Sequence, residues 1–171
     1  MAVLMRAVTY AAIFIAFVLV FLPAQVLVRA GTTPPASFGV PQAAGIAAVL
    51  VGGAVALWCV LAFALIGRGT PAPFDPPRRL VVRGPYRFVR NPMYVGAGVA
   101  LAGAAGYYES TALLAFTAGF ALATHLFVLL YEERALRTRF GADYEDYRRH
   151  VRRWLPRIAA YRPEREGKEA G

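Results

Sequence analysis

The chain has 171 residues, of which 58% are hydrophobic and only 17% carry a charge. So large an apolar share is unusual for a soluble domain and indicates a membrane protein. The formal net charge of +9 would suit a nucleic-acid binder, but the basic residues flank hydrophobic stretches and no recognition motif accompanies them. Membrane topology and anionic headgroups account for the charge, so membrane lipids rather than nucleic acid are the expected partners.

Two apolar stretches open the chain. Residues 7–28 are long enough to cross a bilayer core. A signal peptide is the alternative, but the stretch is longer than a normal signal core and ends in a poor cleavage site, which favours a retained helix. Residues 40–66 are the second predicted span, and their glycines and alanines form a small-residue face suited to close helix packing. Cys59, the single cysteine, has no neighbouring base and is interpreted as apolar filler.

Residues 67–91 form a polar connection in which prolines prevent a regular helix. The most polar cluster of the chain, RGPYRFVRNPMY, comes directly before a third apolar stretch. Asn91 can cap a helix and Pro92 is tolerated in a first helical turn, so part of this motif is a helix start. Arg90 and Tyr94 are not needed for that purpose, and an arginine beside a helix N-terminus is well placed to hold a carboxylate or phosphate.

The third stretch, residues 95–106, and the fourth, residues 111–130, are joined by a turn so short that they are predicted to form an antiparallel hairpin. His125 lies within the fourth stretch, where an ionisable group is either functional or bonded to a neighbouring helix for packing. Glu132 and Glu133 follow at the boundary between helix and water. Adjacent helical residues point about 100° apart, so we expect one acid to face the bundle and the other the arginine-rich connection.

The segment after the fourth stretch is predicted to form two short helices. The first runs to about Phe140 and stops at Gly141. The second, residues 144–153, carries aromatic residues and a valine on one face and arginines on the other. Such an amphipathic helix would lie in the membrane interface, and residues 157–171 are expected to be loose.

The distribution of arginine predicts the topology. Most basic residues lie in the central connection or after the fourth stretch, and the hairpin turn has none. The positive-inside rule therefore puts both termini and the connection in the cytoplasm, in a multi-pass protein of the inner membrane. The predicted fold is an all-α integral membrane protein with about four spans, the last two a tight hairpin, and a C-terminal amphipathic cytoplasmic helix.

Several common sites are not predicted by the sequence. Gly96, Gly98 and Gly103 lie in an apolar helix rather than after a strand, so they are interpreted as packing glycines and not as a dinucleotide-binding loop. The two histidines, one cysteine and scattered acids lack the spacing of a metal site. No Ser-His-Asp arrangement is evident either.

Two segments, in this order along the chain, resemble the isoprenylcysteine carboxyl methyltransferase (ICMT) family and its phospholipid methyltransferase relatives. The first, RGPYRFVRNPMYVG, leads into the third apolar stretch, and the second, HLFVLLYEERALRTRFGADYEDYRRHVRRWLP, begins near the end of the fourth. The resemblance covers residues 82–156, nearly half of the chain. It implies an integral membrane enzyme that uses S-adenosyl-L-methionine without a Rossmann domain. In this family the cofactor lies near the cytoplasmic face, held by the last helices and the segment after them.

The motifs of the family fall on particular residues of this chain. Its Arg-His-Pro-x-Tyr motif falls on Arg90, Asn91, Pro92 and Tyr94. Asparagine thus replaces the histidine, which removes a titratable group. The paired acids of the family fall on Glu132 and Glu133, its Tyr-x-x-Tyr motif on Tyr144 and Tyr147, and its Arg-Trp-x-Pro ending on Arg153, Trp154 and Pro156.

The resemblance and the chemistry of a sulfonium cofactor together imply a set of site residues. Carboxylates and aromatic faces stabilise a sulfonium cation, and an arginine suits the carboxylate of the cofactor. The predicted catalytic residues are Arg90, Arg153 and Glu133. The predicted cofactor-binding residues are Tyr86, Asn91, Pro92, Tyr94, His125, Tyr131, Glu132, Leu136, Tyr144 and Tyr147.

The predicted spans and the resemblance together divide the chain into four regions. They are two transmembrane helices (1–66), a cytoplasmic connection (67–93), a methyltransferase-like hairpin with the cofactor-binding segment (94–156) and a loose tail (157–171).

The acceptor is expected to be lipophilic and to enter from the bilayer. A prenylcysteine-type carboxylate, a small alcohol, thiol or amine, and a lipid headgroup all remain open. A non-catalytic scaffold that kept the fold is the main alternative, although Asn91 is the single departure from the expected cofactor contacts. A transporter would need more polar residues in its spans than His125, Thr117 and Thr124.

Overall fold

The computed structural model describes residues 15–62 and 80–162, together with Thr9 and Ile13. Every regular element in these ranges is helical, which confirms the predicted all-α class for the described residues. In chain order the elements are a π-helical stretch (Ile15–Phe21), α1 (Leu22–Arg29), α2 (Val40–Ala62), a 3-10 helix (Gly84–Arg87), α3 (Pro92–Tyr107), α4 (Thr111–Phe127), a π-helical turn (Val128–Glu132) and α5 (Glu133–His150).

Parts of three predicted regions lie outside the described residues. These parts are most of residues 7–14 in the first predicted span, residues 63–79 with the prolines and several arginines of the connection, and residues 163–171 of the tail.

Two helices are long and apolar enough to cross a membrane, by length and composition: Val40–Ala62 and the continuous run Thr111–His150. The second run has 40 residues, about twice the number that crosses a bilayer core. Its apolar part ends at Leu130, and the charged part begins at Glu132. The acids and α5 therefore lie beyond the spanning part of this helix.

Glycines bring α2 and α3 into backbone contact. A Cβ atom added at Gly45 would come 2.6 Å from the carbonyl oxygen of Gly103, and one added at Gly96 would come 2.7 Å from that of Gly52. Real Cβ atoms do not approach an oxygen so closely, so only glycine permits this packing. The predicted small-residue contact is confirmed at these four positions.

Gly53 and Gly98, which were predicted to belong to the same packing faces, do not take part in this contact. A Cβ atom added at either position would meet nothing within 4 Å. Each is one or two residues away from a contacting glycine, and a helix turns by about 100° per residue. Both therefore point away from the α2–α3 contact, and the prediction is wrong for them.

The predicted hairpin of α3 and α4 is confirmed. Ser110 caps α4, because its hydroxyl accepts a hydrogen bond from the backbone N–H of Leu113 at 3.3 Å. At the same turn, the side-chain amide of Gln42 donates to the carboxylate of Glu109 at 2.8 Å. This bond connects the start of α2 to the hairpin turn. The polar cluster lies at the opposite end of the hairpin.

The long helix breaks at Gly141, where φ is 49° and ψ is −121°. A positive φ favours glycine, and the break predicted from the sequence at this residue is confirmed. The helical segment that follows ends at His150 rather than at the predicted residue 153.

The apolar face of this last segment is buried inside the protein. Tyr144, Tyr147 and Val151 are 2%, 3% and 1% exposed, and Leu80 and Val82 pack against them. The prediction that this face lies in the membrane interface is therefore wrong. The periodicity correctly indicated that this face contacts apolar groups, but those groups belong to other residues of the chain and not to lipid.

The chain after α5 turns back along the segment that precedes α3. The backbone N–H of Arg90 donates to the carbonyl of Arg152 at 2.9 Å, and that of Arg157 donates to Phe88 at the same distance. The N–H of Tyr161 donates to the carbonyl of Arg87 at 3.0 Å. These bonds bring the C-terminal segment to the mouth of α3, beside the end of α4.

Candidate active site

A buried ion-pair cluster lies where α5 begins. Glu133 is 5% exposed, and its carboxylate accepts hydrogen bonds from Arg153 Nε at 2.7 Å and Nη2 at 2.9 Å. Arg90 Nη1 lies 3.1 Å from the same carboxylate and donates to the hydroxyl of Tyr144 at 3.3 Å. We call Arg90, Glu133, Tyr144 and Arg153 the ion-pair cluster.

The charge of Glu133 is compensated. Burial alone would raise the pKa of Glu133, but the hydrogen bond from Arg153 and the charges of Arg90 and Arg153 together hold that pKa below its ordinary value. The same hydrogen bond raises the pKa of Arg153. Glu133 is therefore ionised at neutral pH, and it holds both arginines in fixed positions.

One donor of the ion-pair cluster is left without a partner. Arg90 Nε is buried, and no group among the described residues accepts a hydrogen bond from it. A buried guanidinium N–H without an acceptor is costly. Arg90 thus offers a free donor to an anionic group that comes from outside the described chain.

The neighbouring acid faces a different region. The hydroxyl of Tyr94 donates to the carboxylate of Glu132 at 3.2 Å, and within residues 15–62 and 80–162 no basic side chain forms an ion pair with Glu132. Burial and the charge of Glu133 outweigh the hydrogen bond from Tyr94 and raise the pKa of Glu132 to about 7. The expected divergence of the two acids is confirmed, and Glu132 is the one without a compensating cation.

A groove between α3 and α4 begins beside Tyr94. It has a volume of about 580 Å³ and an almost wholly apolar lining. Its lining includes Tyr94, Gly98, Val99, Phe120, His125 and Trp154. Gly98 forms part of one wall, and the open space at its Cβ position belongs to this groove. The size and apolar character of the groove suit a small lipophilic molecule.

The C-terminal segment closes the groove at its polar end. Trp154 Nε1 donates to His125 Nδ1 at 3.0 Å, across 29 positions of sequence, and the two ring centroids are 5.9 Å apart. We call Tyr94, His125, Glu132 and Trp154 the groove cluster. The sequence motif included Trp154 but did not indicate that it meets His125.

The remaining predicted site residues divide into two groups. Asn91, Pro92, Tyr86 and Tyr147 are buried around the mouth of α3: the Asn91 amide donates to the carbonyl of Arg153 at 3.2 Å, and the Tyr147 hydroxyl donates to the carbonyl of Tyr86 at 2.6 Å.

Two predicted residues stand apart from the site. Leu136 packs against the buried face that includes Tyr144 and Tyr147. Tyr131 is 49% exposed, and its ring lies against Phe127, 5.3 Å between centroids. The structure does not bring Tyr131 together with the other candidates.

Sequence reasoning missed Gly98 and Trp154 as groove residues. Gly98 was assigned to helix packing because its neighbours Gly96 and Gly103 do pack. A helical-wheel comparison with Gly96 would have separated them, since two residues correspond to about 200° of rotation. No local signal indicated the contact between Trp154 and His125.

Comparison with known proteins agrees with the resemblance seen in the sequence. A model of the phospholipid methyltransferase family matches residues 40–143, more than half of the chain. Methanethiol S-methyltransferase 2 of Bradyrhizobium diazoefficiens is 38% identical over 80 residues, which cover 45% of this chain and 29% of that protein. The chain thus matches less than a third of that relative. No solved structure matches the chain.

Proposed function

Because the chain belongs to the phospholipid methyltransferase family, a family of membrane methyltransferases, we propose that it transfers a methyl group from S-adenosyl-L-methionine to a lipophilic acceptor. The observation that carries the proposal is the pairing of an uncompensated carboxylate, Glu132, with an unsatisfied arginine donor, Arg90 Nε. Arg90 lies just before α3 and pairs with Glu133, the neighbour of Glu132, and Glu132 accepts from Tyr94, which lines the apolar groove.

These two groups match the charges of the cofactor. S-adenosyl-L-methionine would supply a methyl group on a positively charged sulfur, and it also carries an amino acid carboxylate. Glu132 suits a cation, because it is partly buried and the hydroxyl of Tyr94 is its only hydrogen-bond partner in the part of the chain that the structure describes. Arg90 suits a carboxylate, because one of its N–H groups is buried and free.

The other predicted residues support this pair. Glu133 holds Arg90 by an ion pair, and Arg153 holds Glu133 by a second ion pair, so the proposed role of both is to orient Arg90. The mouth of α3 forms the walls of the cofactor site. The proposed wall residues are Tyr86, Asn91, Pro92, Tyr144 and Tyr147, with Leu136 behind them; Tyr131, which lies apart from these residues, is given no role in this site.

The residues of the chain would contribute mainly by binding and orientation. A carboxylate or thiolate acceptor is already a nucleophile and needs to be held in line with the transferred methyl group. The groove is apolar and Trp154 closes its polar end, so water is kept from the reacting atoms. Asn91 in place of the family histidine donates to the backbone of Arg153, and we assign it to holding the C-terminal segment rather than to proton transfer.

The proposed topology has four spans in the inner membrane with both termini in the cytoplasm. It rests on the apolar helices Val40–Ala62 and Thr111–His150, on the shorter α1 and α3, and on the arginine-rich segments around the site. In this topology Arg90, Glu132 and Glu133 lie at the cytoplasmic face.

Two acceptor chemistries are supported. The ICMT resemblance suggests a prenylcysteine-type carboxylate, and the name of the bacterial relative suggests a thiol. A lipophilic molecule with either acceptor group would fit the apolar groove of about 580 Å³ between α3 and α4. A lipid headgroup amine, suggested by the family name, is the third chemistry to be compared.

Calorimetric titration of S-adenosyl-L-methionine into the protein in lipid nanodiscs tests the proposal. We expect a dissociation constant in the micromolar range, and a weakening of about tenfold or more in Glu132→Gln. Glu109→Gln is the matched control, since Glu109 lies at the opposite end of the hairpin. No binding by the unmodified protein would overturn the proposal and leave a non-catalytic scaffold with this fold.

A further inference from the structure

The contact with Trp154 determines where His125 carries its proton. Trp154 Nε1 lies 3.0 Å from His125 Nδ1, and an indole nitrogen can only donate a hydrogen bond. Nδ1 must therefore be the unprotonated nitrogen, and the neutral ring carries its proton on Nε2. His125 thus presents an N–H donor on the side of the ring that faces away from Trp154.

The His125 side chain borders the apolar groove. His125 and Trp154 both line the space between α3 and α4, together with apolar residues such as Val99 and Phe120. No group among the described residues accepts a hydrogen bond from His125 Nε2. An N–H donor at the edge of an apolar space binds an anionic acceptor strongly, because little water competes for it.

The groove connects His125 to the proposed cofactor site. Tyr94 lines the same groove, and its hydroxyl donates to Glu132 at 3.2 Å. Glu132 follows His125 by seven residues on the same helix, about 10 Å along its axis. A molecule in the groove would have its polar end between the His125 donor and the carboxylate that we assign to the cofactor.

The resemblance implies that His125 binds the cofactor; we propose instead that it binds the acceptor: its Nε2–H donates to the anionic oxygen or sulfur atom of a lipophilic acceptor whose apolar body fills the groove. This inference rests on the proposed function for its place in the reaction. Because Nε2 already carries a proton and Nδ1 is engaged by Trp154, His125 orients the acceptor and does not deprotonate it.

The same geometry selects between acceptor chemistries. A carboxylate or thiolate has several lone pairs, so it can accept a hydrogen bond from His125 and still attack the methyl group. A neutral amine has a single lone pair, and accepting that bond would block its attack; an ammonium ion would be repelled by the donor. The groove should therefore favour carboxylate or thiol acceptors over amines, with Trp154 as the residue that positions His125.

Nitrogen-15 NMR of histidine-labelled protein in nanodiscs tests the inference directly. The chain has two histidines, and His150, which is exposed and pairs with Asp146, is the internal reference. We expect the proton of His125 on Nε2, and a downfield shift of that N–H on addition of decanoate but not of decylamine. A proton on Nδ1, or an unchanged N–H signal with decanoate, would overturn the inference.

Three variants separate binding from mere structural support. His125→Leu should abolish the decanoate response and lower kcat/KM for decanoate methylation by about tenfold, mainly through KM, whereas the matched variant His150→Leu should not. Trp154→Phe should give a mixture of the two ring tautomers and an intermediate KM. Wild-type kcat/KM in His125→Leu would contradict the assignment.

The affinity of each variant for S-adenosyl-L-methionine distinguishes the two proposals. If the His125 variants retain cofactor binding and lose only the acceptor response, both proposals stand. If the unmodified protein fails to bind the cofactor, the proposed methyl transfer fails, while the NMR response to decanoate still decides whether His125 binds an anionic lipophilic molecule.

Discussion

The ion-pair cluster and the groove cluster each contain one of two adjacent carboxylates of the long helix, and the surroundings of these two carboxylates differ in charge. Glu133 is held by Arg90 and Arg153, whereas among residues 15–62 and 80–162 Glu132 has only the hydroxyl of Tyr94 as a hydrogen-bond partner. The helix rotates by about 100° between the two residues, which is enough to direct one acid to the arginines and the other to the groove. A pair of acids in a sequence motif can therefore contain one structural group and one ligand group.

The difference lies in what satisfies each charge. The ion-pair cluster is complete except for Arg90 Nε, so its carboxylate is a fixed part of the fold. In the groove cluster, no basic side chain of the described residues compensates the charge of Glu132, so a bound cation would supply the missing charge. Stability should thus depend on Glu133, and ligand binding on Glu132.

The largest effect is expected from Glu133→Gln. The substitution leaves Arg90 and Arg153 close together without the carboxylate between them, and breaking a buried pair by removing one partner costs about 3–5 kcal/mol. We expect a clear fall in the thermal unfolding temperature in detergent, measured by circular dichroism.

Glu145→Gln is the matched control for that measurement. Glu145 pairs with Arg137 and Arg148, but all three side chains are a third or more exposed, and exposed pairs contribute about 0–1 kcal/mol. Equal destabilisation by the two variants would contradict the structural role of Glu133.

Glu132→Gln should weaken cofactor binding without lowering stability, the opposite of what we expect for Glu133→Gln. Removing a charge that no basic side chain compensates should leave the unfolding temperature unchanged or raise it at pH 8, while cofactor affinity falls by about tenfold or more, at least 1.4 kcal/mol. Thermal unfolding and calorimetry on the same sample check both. A strong loss of stability without a loss of affinity would reverse the roles of the two clusters.

Filling the groove should affect the acceptor alone. Gly98 lines the groove and has open space at its Cβ position, so Gly98→Leu should enter the groove without disturbing the backbone. We expect KM for a lipophilic acceptor to rise by about tenfold, with cofactor affinity unchanged.

Gly119→Leu is the comparison for this experiment, since Gly119 also has open space but does not line the groove. Methyl transfer measured with increasing acceptor concentration distinguishes the two variants. Identical KM values would show that the groove does not bind the acceptor.

The smallest and most gradual effect is that of pH, and its sign differs between the clusters. The pKa of Glu133 is lowered, so its contribution to stability is present above the unfolded pKa of about 4.3 and is lost as pH falls through the lower folded value. The pKa of Glu132 is raised to about 7, so the folded state binds its proton more tightly than the unfolded state, and its contribution decreases as pH rises from about 4 to 7.

Unfolding temperatures of the two glutamine variants, measured relative to the unmodified protein between pH 3 and 9, check these signs. The deficit of Glu133→Gln should shrink at the acidic end, and the advantage of Glu132→Gln should grow towards the alkaline end. The same slope for both variants would contradict the assignment of one compensated and one uncompensated acid.

Local regularities carried most of what the sequence predicted correctly. The apolar content indicated a membrane protein, the short turn indicated the hairpin, and Gly141 indicated the break in α5. The rotation of a helix between adjacent residues was enough to predict that Glu132 and Glu133 diverge. These features depend on neighbouring residues and on the period of the helix, both of which follow directly from the local sequence.

The tertiary structure alone decided what the helix faces meet. Periodicity identified an apolar face at Tyr144 and Tyr147, but only the return of the chain along residues 87–90 made that face a protein core instead of a membrane surface. The same return brings Trp154 to His125 and so sets the tautomer of the histidine. Contacts across such distances depend on where the backbone turns back, and no local pattern of side chains specifies that.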